Sequence, residues 1–366
     1  MRKSLRVDNF SVDFKIEKRF NDMKPFWISE VMESESLFFV QKDENELPND
    51  TLLFIPDKIL SVKSASRDIL YNEGKDYIIN QEGIISLPKG SRIPFKTAEE
   101  MRPAPNSPNS IPACRDGKSH LLFGEGHFFH DMQIEISYTH KETWKAPIPE
   151  FALNDLPKTK DKLINKLSLK VVLFGDSISA GGNASGFTGA KPFMPPYGDL
   201  VVHGLQEYYG SEITYKNYSV GGTASEWGLQ NISVVAEENP DLVIIAFGMN
   251  DASGRVTPEQ FKTNIYRQMK AVKEKNPNAE FILVATMTAN PEWTASSPDL
   301  YPIYRDMLKT LCSDGVILAD MTSMWTELLK RKSYASLTGN GVNHPNDFGH
   351  RIYAQVILAL LVPSFL

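Results

Sequence analysis

The chain has 366 residues, of which 42% are hydrophobic and 23% are charged, and its formal net charge at pH 7 is −6. This composition is typical of a globular protein, and no window approaches the ~18 continuous apolar residues of a membrane-spanning helix. An acidic chain also lacks the basic surface that is usual for nucleic-acid binding. We therefore expect a small molecule or an oligosaccharide as partner, and neither nucleic acid nor membrane. The oligomeric state stays open.

Two domains are expected, because a single hydrophobic core seldom grows beyond roughly 250–300 residues. Residues 1–147 contain short strand-like runs, such as SLFFVQ, TLLFIP and MQIEISYTH, separated by Asn, Gly, Pro and Asp. This pattern predicts an N-terminal all-β sandwich, similar to a jelly roll. Residues 148–167 are rich in proline and charge and lack an apolar period, so we interpret them as a linker. Residues 168–366 form the second predicted domain.

The first twenty residues begin with basic side chains but contain no apolar segment of the kind found in secretory signals. The sequence as it stands therefore predicts a cytoplasmic location, or a secreted or periplasmic one if a leader has been removed. The two cysteines, Cys114 and Cys312, are too few for a disulfide framework and lack the spacing of a metal site. We expect both to be reduced thiols.

After residue 168 the chain alternates between apolar strands and helices. Five strand-like runs, LKVVLFG, ITYKNYSV, DLVIIAFG, EFILVATM and VILADM, are separated by helical stretches. This alternation predicts a parallel sheet covered by helices on both faces. The last segment predicts a closing helix with Asn346 or Asp347 near its start.

Four polar stretches follow these predicted strands. They contain Ser177 in Gly-Asp-Ser, Gly222 in Gly-Gly, Asn250 in Met-Asn-Asp, and His344 immediately before a proline. In a parallel sheet, ligands bind beyond the carboxyl ends of the strands. We therefore expect all four residues to meet at one edge of the sheet.

In this order, the four stretches resemble the characteristic blocks of the SGNH hydrolases, also called the GDSL esterase/lipase family, over about residues 169–366. The resemblance implies a flavodoxin-like parallel five-stranded sheet, which is the SGNH hydrolase fold. It also implies that Ser177 is the nucleophile and that His344 is the general base. The resemblance also implies three oxyanion donors: the backbone N–H of Ser177, the glycine Gly222, and the side-chain amide of Asn250.

The chemistry of ester hydrolysis needs these residue types. A serine hydroxyl is a poor nucleophile at neutral pH, so a base must take its proton as it attacks a carbonyl carbon. An ordinary imidazole, which titrates near pH ~6.5, can be neutral when the reaction begins. Backbone N–H groups and an asparagine amide stabilise the oxyanion that forms next. The sequence therefore predicts a carboxylic ester hydrolase that uses an acyl-enzyme, with no metal and no cofactor.

One position departs from the family pattern, which usually has an aspartate three residues before the histidine to orient the imidazole. Gly341 occupies that position here. We therefore expect a Ser177–His344 dyad in which a backbone carbonyl accepts the hydrogen bond from the imidazole. Asp320, near the end of the fifth predicted strand, is the alternative acceptor. Asp176 is expected to orient the loop that carries the serine.

The expected substrate carries a short acyl group, most simply acetyl, on a carbohydrate, because no continuous apolar lid of the lipase kind is evident. Asp176, Trp227 and Trp293 are candidate substrate contacts, and core packing is the alternative for both tryptophans. Three other functions stay open. They are a general carboxylesterase or thioesterase, an acyltransferase, and a catalytically silent carbohydrate-binding protein.

The remaining histidines of interest are interpreted as structural. His120, His127 and His130 lie close together in the sequence. The surrounding pattern looks like a strand, in which residues 127 and 130 would point to opposite faces, so we expect no metal site there. His350 is expected to cap or pack the final helix.

Overall fold

The computed structural model describes residues 23–112, 115 and 117–365. The expectations for the first twenty residues and for Cys114 concern residues outside this described part. In the described ranges, no helix is both long and apolar enough to span a bilayer. Cys312 is a free, half-buried thiol.

The N-terminal region is rich in strands, as predicted, and its described residues form three sheets. One has the order β1-β10-β4 and is antiparallel, one has the order β5-β6-β3-β2-β7, and β8 and β9 form a separate ribbon. The strands are β1 (Val31–Leu37), β2 (Phe39–Gln41), β3 (Asn49–Thr51), β4 (Pro56–Ser64), β5 (Ile78–Ile79), β6 (Ile84–Ser86), β7 (Phe95–Thr97), β8 (Ser110–Pro112), β9 (His120–Leu122) and β10 (Ile134–His140). The jelly-roll connectivity stays a prediction.

The apolar run at residues 51–56 differs from its prediction, because residues 52–55 form a connection, buried at residues 52–54, rather than a strand. Two side chains provide the acceptors that a neighbouring strand would otherwise supply. The N–H of Leu53 donates to the Glu35 carboxylate at 2.9 Å, and the N–H of Phe54 donates to the Tyr138 hydroxyl at 3.1 Å. The buried backbone is therefore satisfied without a ladder.

The C-terminal region contains the predicted parallel sheet, with the order β12-β11-β13-β14-β15. Every residue of β13 and β14 is buried, as expected for central strands covered on both faces. The strand order corresponds to 2-1-3-4-5 along the chain, which is the flavodoxin-like order. The strands are β11 (Leu169–Gly175), β12 (Ile213–Asn217), β13 (Leu242–Ala246), β14 (Glu280–Ala285) and β15 (Val316–Asp320).

Helices connect and cover these strands. They are α1 (Pro157–Ile164), α2 (Ser177–Ala180), α3 (Ser185–Thr188), α4 (Tyr197–Tyr209), α5 (Ser225–Asn231), α6 (Ser233–Glu237), α7 (Met249–Ser253), α8 (Pro258–Lys275), α9 (Leu300–Lys309), α10 (Met321–Leu328), α11 (Tyr334–Leu337) and α12 (Asp347–Leu361). One group packs α12 and α1 against α4, and another packs α5, α6 and α9 against α8. The closing helix begins as predicted, because the side chain of Asn346 accepts from Gly349 N–H at 3.0 Å.

Much of the predicted linker packs against the C-terminal sheet. The N–H groups of Lys158 and Thr159, at the start of α1, donate to the carboxylate of Glu280 at 2.9 and 2.8 Å. Three leucines of the segment are at most 1% exposed, namely Leu153, Leu156 and Leu163. Because the segment is rich in proline and lysine, its composition indicated a linker and gave no sign that these three leucines are buried. The exact domain boundaries stay predictions.

One hydrophobic core runs through both regions, from Met23 to Val362. A buried ion pair also joins them: Lys332 Nζ lies 2.5 Å from Glu35 Oε1, and both side chains are fully buried. Glu35 in addition accepts from the Tyr138 hydroxyl at 2.6 Å. Since a buried charge is costly without a partner, these contacts depend on one another.

We expect Lys332→Met to destabilise the protein by about 3–5 kcal/mol, because it leaves the Glu35 carboxylate buried without its counter-charge. Lys330→Met is the matched control, since Lys330 is 66% exposed and pairs with Glu327 at the surface. Such a surface pair contributes less than about 1 kcal/mol. Urea unfolding of the full chain measures both changes, and equal effects of the two substitutions would contradict the expectation.

Candidate active site

Ser177 lies at the end of β11, next to the position where the strand order of the sheet reverses. A Cβ at Gly175 would lie 2.4 Å from the carbonyl oxygen of Ala246, so the strand must end in glycine for the chain to turn here. Asp176 then caps α2 by accepting from Ile178 N–H at 3.0 Å. Ser177 is the first residue of that helix and remains partly exposed.

Asp176 is 1% exposed, and burial raises its pKa to about 7. Its Oδ1 binds the serine loop, which fits the expected orienting role. Its Oδ2 is buried as well. The enclosed carboxyl therefore packs inside the protein, and the substrate contact by Asp176 stays a prediction.

His344 is in hydrogen-bond contact with the serine. Its Nε2 lies 2.9 Å from Ser177 Oγ, and its side chain is 12% exposed. The loop that carries it is organised by Asn340, whose Oδ1 accepts from the N–H groups of Val342, Asn343 and His344 at 3.0, 3.0 and 3.2 Å. The predicted nucleophile and the predicted base are therefore together at the edge of the sheet.

The acceptor for the other imidazole nitrogen is a side-chain amide, Asn183, rather than the expected backbone carbonyl. His344 Nδ1 lies 2.8 Å from Asn183 Oδ1. Asn183 Nδ2 donates to the carbonyls of Gly126 and Gly339 at 2.8 and 3.0 Å. With both amide hydrogens directed at carbonyls, the amide oxygen must face the imidazole. Nδ1 then carries the proton and Nε2 is free to accept one.

The alternative prediction, that Asp320 accepts the hydrogen bond from the imidazole, is wrong. Asp320 caps α10 instead, accepting from Ser323 N–H at 2.8 Å and from the Ser323 hydroxyl at 2.6 Å. One carboxylate does approach the imidazole: Glu125 Oε2, from the N-terminal region, lies 3.5 Å from His344 Nδ1. Neither Asn183 nor Glu125 was identified from the sequence, in which both stand in ordinary glycine-rich stretches.

The segments that carry Gly222 and Asn250 contact each other, and Gly221, next to Gly222, lies beside Ser177. A Cβ at Gly221 would be 3.6 Å from Ser177 Cβ, and Gly222 has a φ of +75°, where a side chain would be strained. Asn250, in α7, donates through Nδ2 to the Thr223 carbonyl at 2.9 Å, which ties its loop to the glycine loop. The oxyanion roles of Gly222 and Asn250 stay predictions.

His350 has a role that sequence reasoning missed. Its Nε2 donates to the Gly182 carbonyl at 3.0 Å, and its Nδ1 faces the N–H of Tyr197 at 3.4 Å. Burial lowers the pKa of His350 to about 4, so the imidazole is neutral near pH 7. Gly182 precedes Asn183, and a Cβ at Gly182 would approach His344 Nδ1 at 3.1 Å. His350 therefore holds the chain that carries the acceptor.

Both candidate tryptophans are partly buried against the core. The Trp227 ring lies 5.8 Å from that of Phe174, and Trp293 packs beside Leu121 of the N-terminal ribbon. These contacts account for both side chains as packing residues. Their contact with substrate stays a prediction.

The three N-terminal histidines have separate partners. His120 Nδ1 lies 3.3 Å from Ser110 Oγ, His127 Nδ1 lies 2.6 Å from Asp131, and His130 Nε2 lies 2.7 Å from the Lys191 carbonyl. Residues 130–132 form a short 3-10 helix rather than the expected strand. Among the described residues, no group of three or more His, Cys, Asp or Glu side chains is placed to hold a metal ion.

Two large clefts lie away from this site. One, of about 830 Å³, is lined by Pro147 to Asp155 together with parts of α9 and β15. The other, of about 480 Å³, lies beside Trp144. Neither is lined by Ser177 or His344. The chemistry of the side chains, rather than cavity volume, therefore locates the candidate site.

Comparison with known proteins finds similarity in the C-terminal region. Residues 173–352 match the model of the GDSL-like lipase/acylhydrolase family. The C-terminal region contains a GDSL-like domain. An arylesterase from Vibrio mimicus is 25% identical over 142 residues, which are 38% of this chain and 66% of that protein.

Solved structures similar to this chain include two carbohydrate esterases. A two-domain esterase active on acetylated mannans is 25% identical with a TM-score of 0.48, and the match covers 59% of this chain and 55% of that one. Axe2, an acetylxylan esterase from Geobacillus stearothermophilus, is 21% identical with a TM-score of 0.43 over 53% of this chain and 94% of that one. This chain therefore spans 66% of the arylesterase and 55% of the two-domain esterase.

We expect Asn183→Gly to slow the reaction of Ser177 with a fluorophosphonate by about 10- to 150-fold. The substitution removes a hydrogen bond to an imidazole that becomes charged, a contact of about 1.5–3 kcal/mol. Glycine suits the φ of +62° at this position, so backbone strain is avoided. Asn165→Ala, at an exposed asparagine at the end of α1, is the control. Labelling of the Asn183→Gly variant at the wild-type rate would show that the Asn183 side chain is dispensable.

Proposed function

We propose that this protein is a serine esterase that hydrolyses short-chain acyl esters, most simply acetyl esters, of a carbohydrate. The observation that carries the proposal is the pair of contacts on His344: Nε2 lies 2.9 Å from Ser177 Oγ, and Nδ1 lies 2.8 Å from Asn183 Oδ1. This arrangement is what a serine nucleophile needs from its base. The family match and the similarity to an arylesterase support ester hydrolysis.

Acylation begins when Ser177 Oγ attacks the ester carbonyl carbon and its proton moves to His344 Nε2. The carbonyl π electrons move to oxygen, and the resulting oxyanion accepts from the N–H groups of Ser177 and Gly222 and from the Asn250 amide. Each such donor contributes roughly 2.7–4 kcal/mol to lowering the barrier. Asn183 keeps the imidazole oriented while the imidazole is positively charged.

The intermediate then collapses, and the bond from carbon to the sugar oxygen breaks. His344 Nε2 gives its proton to that oxygen, which leaves as an alcohol and frees the base. A water molecule repeats the sequence on the acyl-enzyme: His344 takes a proton from the water, and the hydroxide adds to the carbonyl carbon. The bond from the carbonyl carbon to Ser177 Oγ then breaks, His344 Nε2 gives its proton to Oγ, and the carboxylic acid leaves.

A short acyl group is supported by the loop that follows Ser177, because this loop is held in place rather than free to act as an apolar lid. Ser185 N–H donates to Asp347 at 2.7 Å, and Met194 N–H donates to Ser185 Oγ at 2.8 Å. The His130 imidazole contacts the carbonyl of Lys191 at 2.7 Å. A long acyl chain usually needs an extended apolar surface around it, since each buried CH₂ contributes about 0.8 kcal/mol.

A carbohydrate is supported by exposed aromatic rings on the same loop. Phe187 is 59% exposed and Phe193 is 40% exposed. A Cβ at Gly181 would lie 3.2 Å from Phe187 Cδ2, so this ring is close to the chain that follows the serine. Exposed aromatic faces of this kind are suited to packing on the apolar face of a sugar.

We expect Ser177→Ala and His344→Ala each to reduce kcat on acetyl esters by at least about 10⁴-fold, because nucleophile and base act as a unit. Ser107→Ala and His120→Ala, in the N-terminal region, are the matched controls and should leave the rate unchanged. The measurement is hydrolysis of a chromogenic acetyl ester and of a panel of acetylated mono- and oligosaccharides.

The same panel separates the other candidate functions. Acetylated sugars should give a higher kcat/KM than octanoyl esters or acyl thioesters of the same leaving-group reactivity. Preference for the longer chains or for thioesters would replace the proposal with a general carboxylesterase or thioesterase. Transfer of acetyl to an added sugar in preference to water would indicate an acyltransferase. Binding without turnover of any ester would indicate a silent carbohydrate-binding protein.

A further inference from the structure

Gly341 stands where the family pattern has an aspartate, and the N-terminal region fills the space that a side chain would need. A Cβ at Gly341 would lie 2.5 Å from Phe129 Cζ and 2.9 Å from the Leu122 carbonyl oxygen. Phe129 is fully buried and packs against Phe38 and Leu122. Gly341 also has a φ of +81°, which disfavours any side chain.

The same N-terminal segment brings polar groups to the distal side of the imidazole. Glu125 Oε2 lies 3.5 Å from His344 Nδ1, and Glu125 Oε1 lies 3.5 Å from Asn340 Nδ2. The neighbouring Gly126 carbonyl accepts from Asn183 Nδ2 at 2.8 Å. Residues 122–129 therefore do two things: they exclude an aspartate from position 341, and they place the Glu125 carboxylate near His344 Nδ1.

We propose that the two tasks of the missing aspartate are divided, with Asn183 orienting the imidazole and Glu125 of the N-terminal region stabilising its positive charge. Glu125 is a positioning residue, because it acts only through His344. It takes no proton: the serine proton moves to Nε2, and the carboxylate stays ionised beside Nδ1–H throughout. This inference rests on the proposed esterase function.

The electrostatics of the site support this division. The Glu125 side chain is 57% exposed, and its partial burial raises its pKa, but the hydrogen bond and charge of His344 and the contact with Asn340 outweigh this effect, so the pKa lies below its ordinary value. Glu125 is therefore ionised near pH 7. The Glu125 carboxylate lies 3.5 Å from His344 Nδ1, so it is placed to stabilise positive charge on the imidazole.

Two other titrating groups interact with the charge of His344. They are Asp176 at the start of α2 and His350 in α12, whose pKa values are about 7 and about 4. His127 and Asp131 pair with each other farther along the Glu125 segment. All four of these residues are still present in a variant in which only Glu125 is replaced. A difference between variants therefore reports Glu125, even where the wild-type pH profile contains more than one titration.

The test compares Glu125→Gln with Asp131→Asn, which removes an exposed carboxylate from the same segment. The readouts are the pH dependence of kcat and kcat/KM on an acetyl ester, and the NMR titration of the His344 imidazole. For Glu125→Gln we expect a two- to fivefold lower kcat on the plateau and an unchanged KM. Because the neutral imidazole then persists to lower pH, the acid limb and the NMR midpoint should move down by about 0.2–0.7 pH unit. Asp131→Asn should match the wild type.

Two results would overturn the inference. One is a Glu125→Gln variant whose NMR midpoint and acid limb equal those of the wild type. The other is a loss of kcat that is uniform with pH and accompanied by a lower Tm, as a purely structural role would give. If the wild-type protein hydrolyses no ester, the proposed function fails separately. The NMR titration still decides whether Glu125 acts on the charge of His344.

Discussion

The side-chain amide of Asn183 has only one orientation that satisfies all its hydrogen bonds, and the candidate active site depends on that orientation. Its two hydrogens are directed at carbonyls of Gly126 and Gly339, so its oxygen must accept from the imidazole of His344. A reversed amide would place its oxygen against two carbonyl oxygens, where no donor is available. The proton on His344 is thereby confined to Nδ1, which leaves Nε2 facing the serine.

This constraint links the two regions of the chain. One carbonyl that fixes the amide belongs to the N-terminal region and the other to the loop of His344. Further hydrogen bonds join the same surfaces: Gln133 Nε2 donates to the carbonyls of Ala335 and Thr338 at 2.6 and 2.8 Å, and Asn346 Nδ2 donates to Ser36 Oγ at 2.9 Å. The N-terminal sheets therefore act as a scaffold for the histidine loop.

The sequence contained enough information for the C-terminal fold because its signals are local. Apolar runs of strand length, separated by helical stretches, indicate a parallel sheet, and the polar residues that follow each strand indicate its functional edge. For the same reason Ser177 and His344 could be predicted to meet. The cap of the last helix was also readable, since an asparagine before a helical run is a local pattern.

The groups around His344 were not predictable in this way. Asn183 is 161 positions from His344, and only the folded chain places their side chains in contact. Without an acid at position 341, a backbone carbonyl was a reasonable expectation, but no local pattern marks an amide or a carboxylate from another region. The prediction of a strand at residues 51–56 was wrong for a related reason. Its apolar pattern indicates burial, and the side chains of Glu35 and Tyr138 that replace a neighbouring strand are distant in sequence.

The contact between Gly341 and Phe129 also constrains how such a site can change over time. An aspartate cannot arise at position 341 while Phe129 is present, because its Cβ would lie 2.5 Å from the ring. Removing the buried ring first would open a cavity, at a cost of about 3–5 kcal/mol. Even without the ring, the Leu122 carbonyl oxygen would lie 2.9 Å from that Cβ, and the φ of +81° at position 341 would still disfavour a side chain. Position 341 is therefore kept as glycine by the aromatic ring, by a backbone carbonyl and by its own φ, and replacing the ring removes only the first of these barriers.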